Sequence, residues 1–118
     1  ISFVLSSGRA PARARIEAPG RNRIMAFWVY MLKCADGSYY VGHTDDLERR
    51  IGQHQSGVIA GYTLSRRPVM LVFAESFPTR LEALTMERRI KGWTRAKKEA
   101  LAAGDWRRIS VLSRKRFT

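Results

Sequence analysis

Among the side chains between Trp28 and His54 are the phenols of Tyr30 and Tyr40, the guanidinium of Arg50 and the imidazole of His54. A phenol or an imidazole can move a proton, and a guanidinium can stabilise the charge that grows on an attacked phosphate. On one face these four groups suit the hydrolysis of a phosphodiester. Spread over several faces, they are sheet aromatics, a surface charge and a helix C-terminal cation favoured by the helix dipole.

The elements that must position them follow from local pattern. Phe27 to Lys33 is almost wholly apolar or aromatic and rich in β-favouring residues, which predicts a buried strand. Ser38 to Gly42 reads as its hairpin partner across Ala35-Asp36-Gly37, a three-residue loop with Gly37 in the left-handed region. That loop sets Cys34 opposite Ser38 and Tyr30 opposite Gly42, with Tyr40 a diagonal neighbour of Tyr30 on the same sheet face. A two-residue Asp36-Gly37 turn would send the tyrosines to opposite faces.

Asp45 followed by Glu48 resembles a capping box and opens a helix that buries Leu47 and Ile51, with Arg50 and His54 four apart on another side. A polar connection then leads to Val69–Phe73, whose continuous apolar character suits a central strand. Thr79-Arg80-Leu81-Glu82 is a second capping box, for a helix with the inward stripe Ala83, Met86, Ile90 and Trp93. A further helix runs from about Thr94 to Ala103 and stops at Gly104. Glu87 borders the inward stripe, where a carboxylate is costly unless it holds a metal or is paired with Arg88, Lys91 or a distant arginine.

The length of 118 residues holds one domain. Residues 1–24 show no sustained periodicity and read as a disordered leader, a transit-like segment or the product of an upstream start, with Met25 as a start. Residues 25–106 form the domain and 107–118 a basic C-terminal helix or tail. The net charge is +12, of which the leader supplies only +4, so the domain itself favours a polyanionic partner. The single cysteine, Cys34, excludes an internal disulfide, which points to the cytoplasm, and no apolar run approaches a membrane span.

These pieces, in this order, resemble the GIY-YIG nuclease domain, and more closely its small stand-alone, UPF0213-like branch, from about Phe27 to Trp106. Trp28-Val29-Tyr30 stands for GIY and Tyr40-Val41-Gly42 for YIG. Arg50 and His54 match the helix pair of the family, and Glu87 its later glutamate. Leu47–Ile51, Gly61-Tyr62-Thr63, Arg66-Arg67-Pro68 and Ile90–Trp93 look like the small branch. His43 stands where some relatives have lysine.

The resemblance implies an α/β (α+β) fold, β-β-α-β-α-α, with a small three-stranded antiparallel or mixed sheet between helices. It implies a DNA endonuclease directed by structure rather than by sequence, with a place in DNA repair. It further implies one Mg2+ (or Mn2+) held largely by Glu87 and water, with Tyr30 activating the water once Arg50, His43 or Lys33 favours its phenolate. Arg50 would stabilise the transition state, Tyr40 orient water or phosphate, and His54 assist proton transfer. His43, Arg66, Arg67, Arg88, Arg89, Lys91, Arg95, Lys97 and Lys98 are the candidate nucleic-acid contacts. The last six lie within eleven residues that contain no acid and would touch phosphates rather than base edges. The expected partner is DNA, with RNA as an alternative, bound by a monomer. A non-catalytic nucleic-acid-binding module and a protein that acts only with a protein partner are the rival readings.

Overall fold

The computed structural model describes residues 26–114, so the leader and the last four residues lie outside it. Strand β1 (Phe27–Lys33) pairs antiparallel with β2 (Tyr39–Thr44) on one side and with β3 (Met70–Phe77) on the other. The order β2-β1-β3 makes β1 the central strand, which corrects the expectation for the third strand. The physical reason is burial: Trp28 to Leu32 are covered on both faces, whereas β3 opens with Met70 61% exposed and carries the exposed Glu75. The sheet is wholly antiparallel.

The hairpin has the three-residue loop. Gly37, at φ +87°, donates to the Cys34 carbonyl at 2.9 Å, and the Cys34 N–H donates to the Ser38 carbonyl at 2.8 Å. Asp36 closes the loop by accepting from the Ser38 N–H at 3.0 Å and its hydroxyl at 2.6 Å. Tyr30 therefore faces Gly42, and Leu32 faces Tyr40. Strand β2 runs two residues further than the pattern suggested, through His43 and Thr44.

Four helices complete the order β-β-α-β-α-α-α: α1 (Leu47–Ser56), α2 (Arg80–Lys91), α3 (Arg95–Ala103) and α4 (Trp106–Arg114). The cap of α1 is Asp46, not Asp45; its carboxylate accepts from the Arg49 N–H at 3.2 Å. Asp45 instead faces Arg80 at 3.8 Å. Thr79 caps α2 through the Glu82 N–H and Thr94 caps α3 through the Lys97 N–H, each at 3.2 Å. Gly104, at φ +73°, ends α3 where expected.

The alternation of β1 sorts the core into two layers. Val29 and Met31 pack with Val41, Ala83, Ile90, Ala100, Leu101 and Ile109 under α2, α3 and α4. Tyr30, Leu32 and Cys34 pack on the other side with Val69, Tyr40, Leu47 and Ile51 beneath α1. Gln55 locks α1 to the chain entering β3, its amide donating to the Val69 carbonyl at 2.7 Å and accepting from the Val69 N–H at 2.8 Å. No helix among the described residues is long and apolar enough to cross a membrane.

Candidate active site

On the α1 side of the sheet, Tyr30, Tyr40 and His54 meet. Tyr30 Oη and His54 Nε2 share a hydrogen bond at 2.9 Å, and His54 Nδ1 shares another with Thr63 Oγ1 at 2.9 Å. All three residues of this chain are sealed from solvent: Tyr30 and His54 are each 1% exposed and Thr63 2%. The Tyr40 ring stands edge-on to His54 at 5.0 Å and tilts against Tyr30 at 6.3 Å between centroids. Gly42 makes room for this cluster, because a Cβ there would lie 2.6 Å from Tyr30 Oη.

His54 is buried, which removes the alternative of a solvent-facing helix-end cation; burial, and then the nearby Arg50 charge, hold its pKa below the ordinary 6.5. One expectation changes here: Arg50 does not bring Tyr30 toward phenolate. Burial pushes that phenol well up, Tyr40 and Glu87 push the same way, and the opposing pull of Arg50 is smaller. The pair consists of a neutral phenol and a neutral imidazole. Thr63, beyond the end of α1, was not singled out from sequence as a site residue; its only signal was its place in the Gly61-Tyr62-Thr63 match.

A neutral buried His54 makes stability depend on pH. Below its ordinary pKa the unfolded chain binds a proton that the folded chain resists, so stability is full above about pH 6.5 and falls as pH drops through the lower folded value. Thermal melts from about pH 7 to about pH 5 should therefore show a falling Tm in the wild type. His54→Gln, which keeps hydrogen-bonding capacity without the titration, should flatten that slope. An equal slope in both proteins would show that His54 is not the group responsible.

Glu87 and its partners lie across the sheet. His43 is two residues from Val41 and so shares the face covered by α2. Its Nδ1–H donates to Glu87 Oε1 at 2.5 Å, while Lys91 Nζ donates to Oε2 at 2.7 Å. Glu87 is 8% exposed. Burial alone would raise its pKa, but the hydrogen bonds from Lys91 and His43 outweigh that and hold the carboxyl below its usual range. Tyr30 feels the Glu87 charge without a direct hydrogen bond to it. Of the five candidate residues, Tyr30 and His54 are buried together with the half-buried Tyr40 packed on them, Arg50 is half-buried beside them, and Glu87 lies on the other side of edge strand β2.

As a donor set for a hard dication this is thin but suitable in kind: one carboxylate, kept ionised, at the border of solvent. Its Lys91 partner has a side chain 53% exposed and can turn away. Among the described residues no three His, Cys, Asp or Glu side chains group as metal ligands, so water and substrate oxygens would complete any coordination.

The family model for the GIY-YIG catalytic domain matches residues 26–100. The chain belongs to the GIY-YIG family. Among relatives of this GIY-YIG protein, a UPF0213 protein of Bacillus pumilus is 53% identical over 72 residues, covering 61% of this chain and 74% of the relative. The UPF0213 protein of Halobacterium salinarum is 49% identical, covering 62% of this chain and 95% of the relative. The solution NMR structure of the UPF0213 protein BH0048 from Bacillus halodurans has 46% identity and a TM-score of 0.45, covering 67% of this chain and 84% of that one.

In this GIY-YIG chain the candidate basic contacts divide by what already holds them. Arg66 donates to Asp36 Oδ2 at 3.0 Å and to the Tyr62 carbonyl at 2.8 Å. Arg67 lies against Gly57 and donates to the carbonyls of Leu64 at 3.0 Å and Gln55 at 3.4 Å, tying the connection to the end of α1. Arg95 pairs with Glu99 at 2.9 Å, Lys97 sits over the Trp93 ring at 4.3 Å, and His43 and Lys91 serve Glu87. Arg88, Arg89 and Lys98 make no ion pair among the described residues, and Arg88 and Arg89 are exposed.

Proposed function

We propose that this GIY-YIG protein is a divalent-metal-dependent endonuclease that hydrolyses DNA phosphodiester bonds and selects its substrate by structure rather than by sequence. The observation that carries this reading is the sealed Tyr30–His54–Thr63 hydrogen-bond chain, with Tyr40 packed on it and the Arg50 charge acting on both Tyr30 and His54. A buried phenol needs one hydrogen-bond partner, and His54 supplies it while its other ring nitrogen is held by Thr63.

The raised pKa of Tyr30 favours a relay over a preformed phenolate. With Nδ1–H of His54 donated to the Thr63 hydroxyl, Nε2 carries the lone pair and accepts the Tyr30 proton. Once bound substrate opens a path for water to the otherwise sealed phenol, Tyr30 takes the proton of the attacking water as it passes its own to His54, so no charge is stranded on the phenol. Arg50 stabilises the charge developing on the phosphate. Tyr40 orients the water or the phosphate. Glu87 would hold a magnesium or manganese ion, which when bound supplies Lewis-acid polarisation of a phosphate oxygen and the leaving oxygen. Arg88, Arg89 and Lys98 give a sequence-independent hold on the phosphate backbone that weakens steeply with salt.

Purified protein at enzyme excess should nick branched, nicked or single-stranded DNA when magnesium or manganese is supplied, and leave it intact in a chelator. A single carboxylate whose two oxygens both carry donors also favours a second reading, a non-catalytic nucleic-acid-binding module. Salt-sensitive DNA binding with no cutting of any substrate in the panel would select that one.

A further inference from the structure

Tyr62 stands at the mouth of the tyrosine cluster, 41% exposed. This ring is held in place: the Arg66 guanidinium lies over it at 3.8 Å, and the Tyr40 ring stacks against it at 6.2 Å between centroids with 23° between planes. The Arg66 plane is fixed in turn by Asp36 and by the Tyr62 carbonyl, and its side chain remains 34% exposed. The next residue, Thr63, holds His54, so the platform and the proton relay share one short stretch of backbone.

A flat aromatic ring bearing a flat cation, both partly open to solvent, matches the face of an unpaired nucleobase. Bases stack on aromatic rings and guanidinium planes whatever their identity, and a base inside a duplex has no free face to offer. The neighbouring positive charge on Arg66 adds attraction for the adjoining phosphate. We propose that Tyr62 and Arg66 form a stacking platform for an unpaired base, so that the protein engages a single-stranded segment of DNA beside Tyr40. The platform deepens the nuclease reading and rests on it for the identity of the polyanion, while base stacking itself requires no cleavage. A purely structural role, clasping the connection to the hairpin through Arg66 and Asp36, is the competing account.

The experiment uses a short single-stranded DNA with one 2-aminopurine, titrated with the full chain in a chelating buffer where nothing is cut. A duplex of the same length serves as reference. The wild type should quench the fluorophore on binding. Tyr62→Leu should lose that quench and bind the single strand roughly tenfold more weakly, with duplex affinity within about twofold of wild type. Tyr62→Phe should keep both properties, and Arg66→Lys, which retains charge but not the plane, should weaken the single strand selectively. Absence of quenching by the wild type would overturn the proposal, and so would equal losses on single strand and duplex in Tyr62→Leu. Quenching here, with no cutting of any DNA when magnesium or manganese is supplied, would leave the platform standing and sink the nuclease reading; cutting with metal but no quenching here would do the reverse.

Discussion

Replacing Glu87 by alanine is expected to lower DNA cleavage on the order of a thousandfold while DNA affinity stays close to that of the wild type. Among the described residues the side chain is the one buried carboxylate, and its charge is maintained against burial by Lys91 and His43. Removing it takes away the proposed anionic ligand for a dication. It also releases Lys91, a half-exposed cation that water can solvate, so the surface becomes slightly more positive and phosphate binding has no reason to fall. Stability should change little for the same reason: the abandoned partners are not left dry. Glu87→Gln keeps the size and an acceptor oxygen but not the charge, and should be as inactive as the alanine variant. Single-turnover nicking with magnesium, alongside anisotropy of labelled DNA, separates the two effects. If the variant and the wild type cut equally, Glu87 holds no metal and any activity has another source.

Gly42→Ala should damage both the fold and the site. The glycine has ordinary backbone angles; what it supplies is space. A Cβ would stand 2.6 Å from Tyr30 Oη, 2.9 Å from Cζ and 3.2 Å from the Tyr40 ring. Tyr30 cannot withdraw, since it is 1% exposed and bonded to His54. Overpacking of this kind costs about 1–3 kcal/mol, and the ring shift it forces would break the Tyr30–His54 bond and with it the proposed relay. Tyr30→Phe in the same chain deletes the Oη that meets the new methyl, so the double variant should recover part of the lost stability, measured as non-additivity in urea melts. It should not recover cleavage. A Gly42→Ala protein as stable and as active as wild type would mean that the strand yields and the close approach is immaterial.

Much of the scaffold is legible in the order of residues because its determinants are local. The Ala35-Asp36-Gly37 loop sets the hairpin register through one glycine at positive φ, and that register alone puts Tyr30 and Tyr40 on one face. Thr79, Thr94 and Gly104 mark helix ends through their own backbone and side-chain chemistry. Apolar spacing on α2 identifies Ala83 and Ile90 as core. The misreadings are equally informative. Asp45 and Asp46 are both competent caps, and the choice between them turned on Thr44, which takes the Asp46 N–H at 3.1 Å. Two apolar runs competed for the centre of the sheet, and only the pairing of β1 with both neighbours decided it.

The sequence by itself determined the hairpin, the caps of α2 and α3, the basic character and the residue types from which the proposed chemistry is argued. Tertiary structure decided which of those residues meet. His43 and Glu87 are 44 positions apart, and nothing in their local patterns pairs them. His54 looks the same in sequence whether it ends a helix in water or accepts a phenol 24 residues away in the dark of the core. Arg66 reads as a free cation until Asp36, 30 residues earlier, claims it. Turn types and helix caps are set by dihedral preferences over a few residues, whereas burial, pKa and hydrogen-bond partners depend on which surfaces the packed chain brings together.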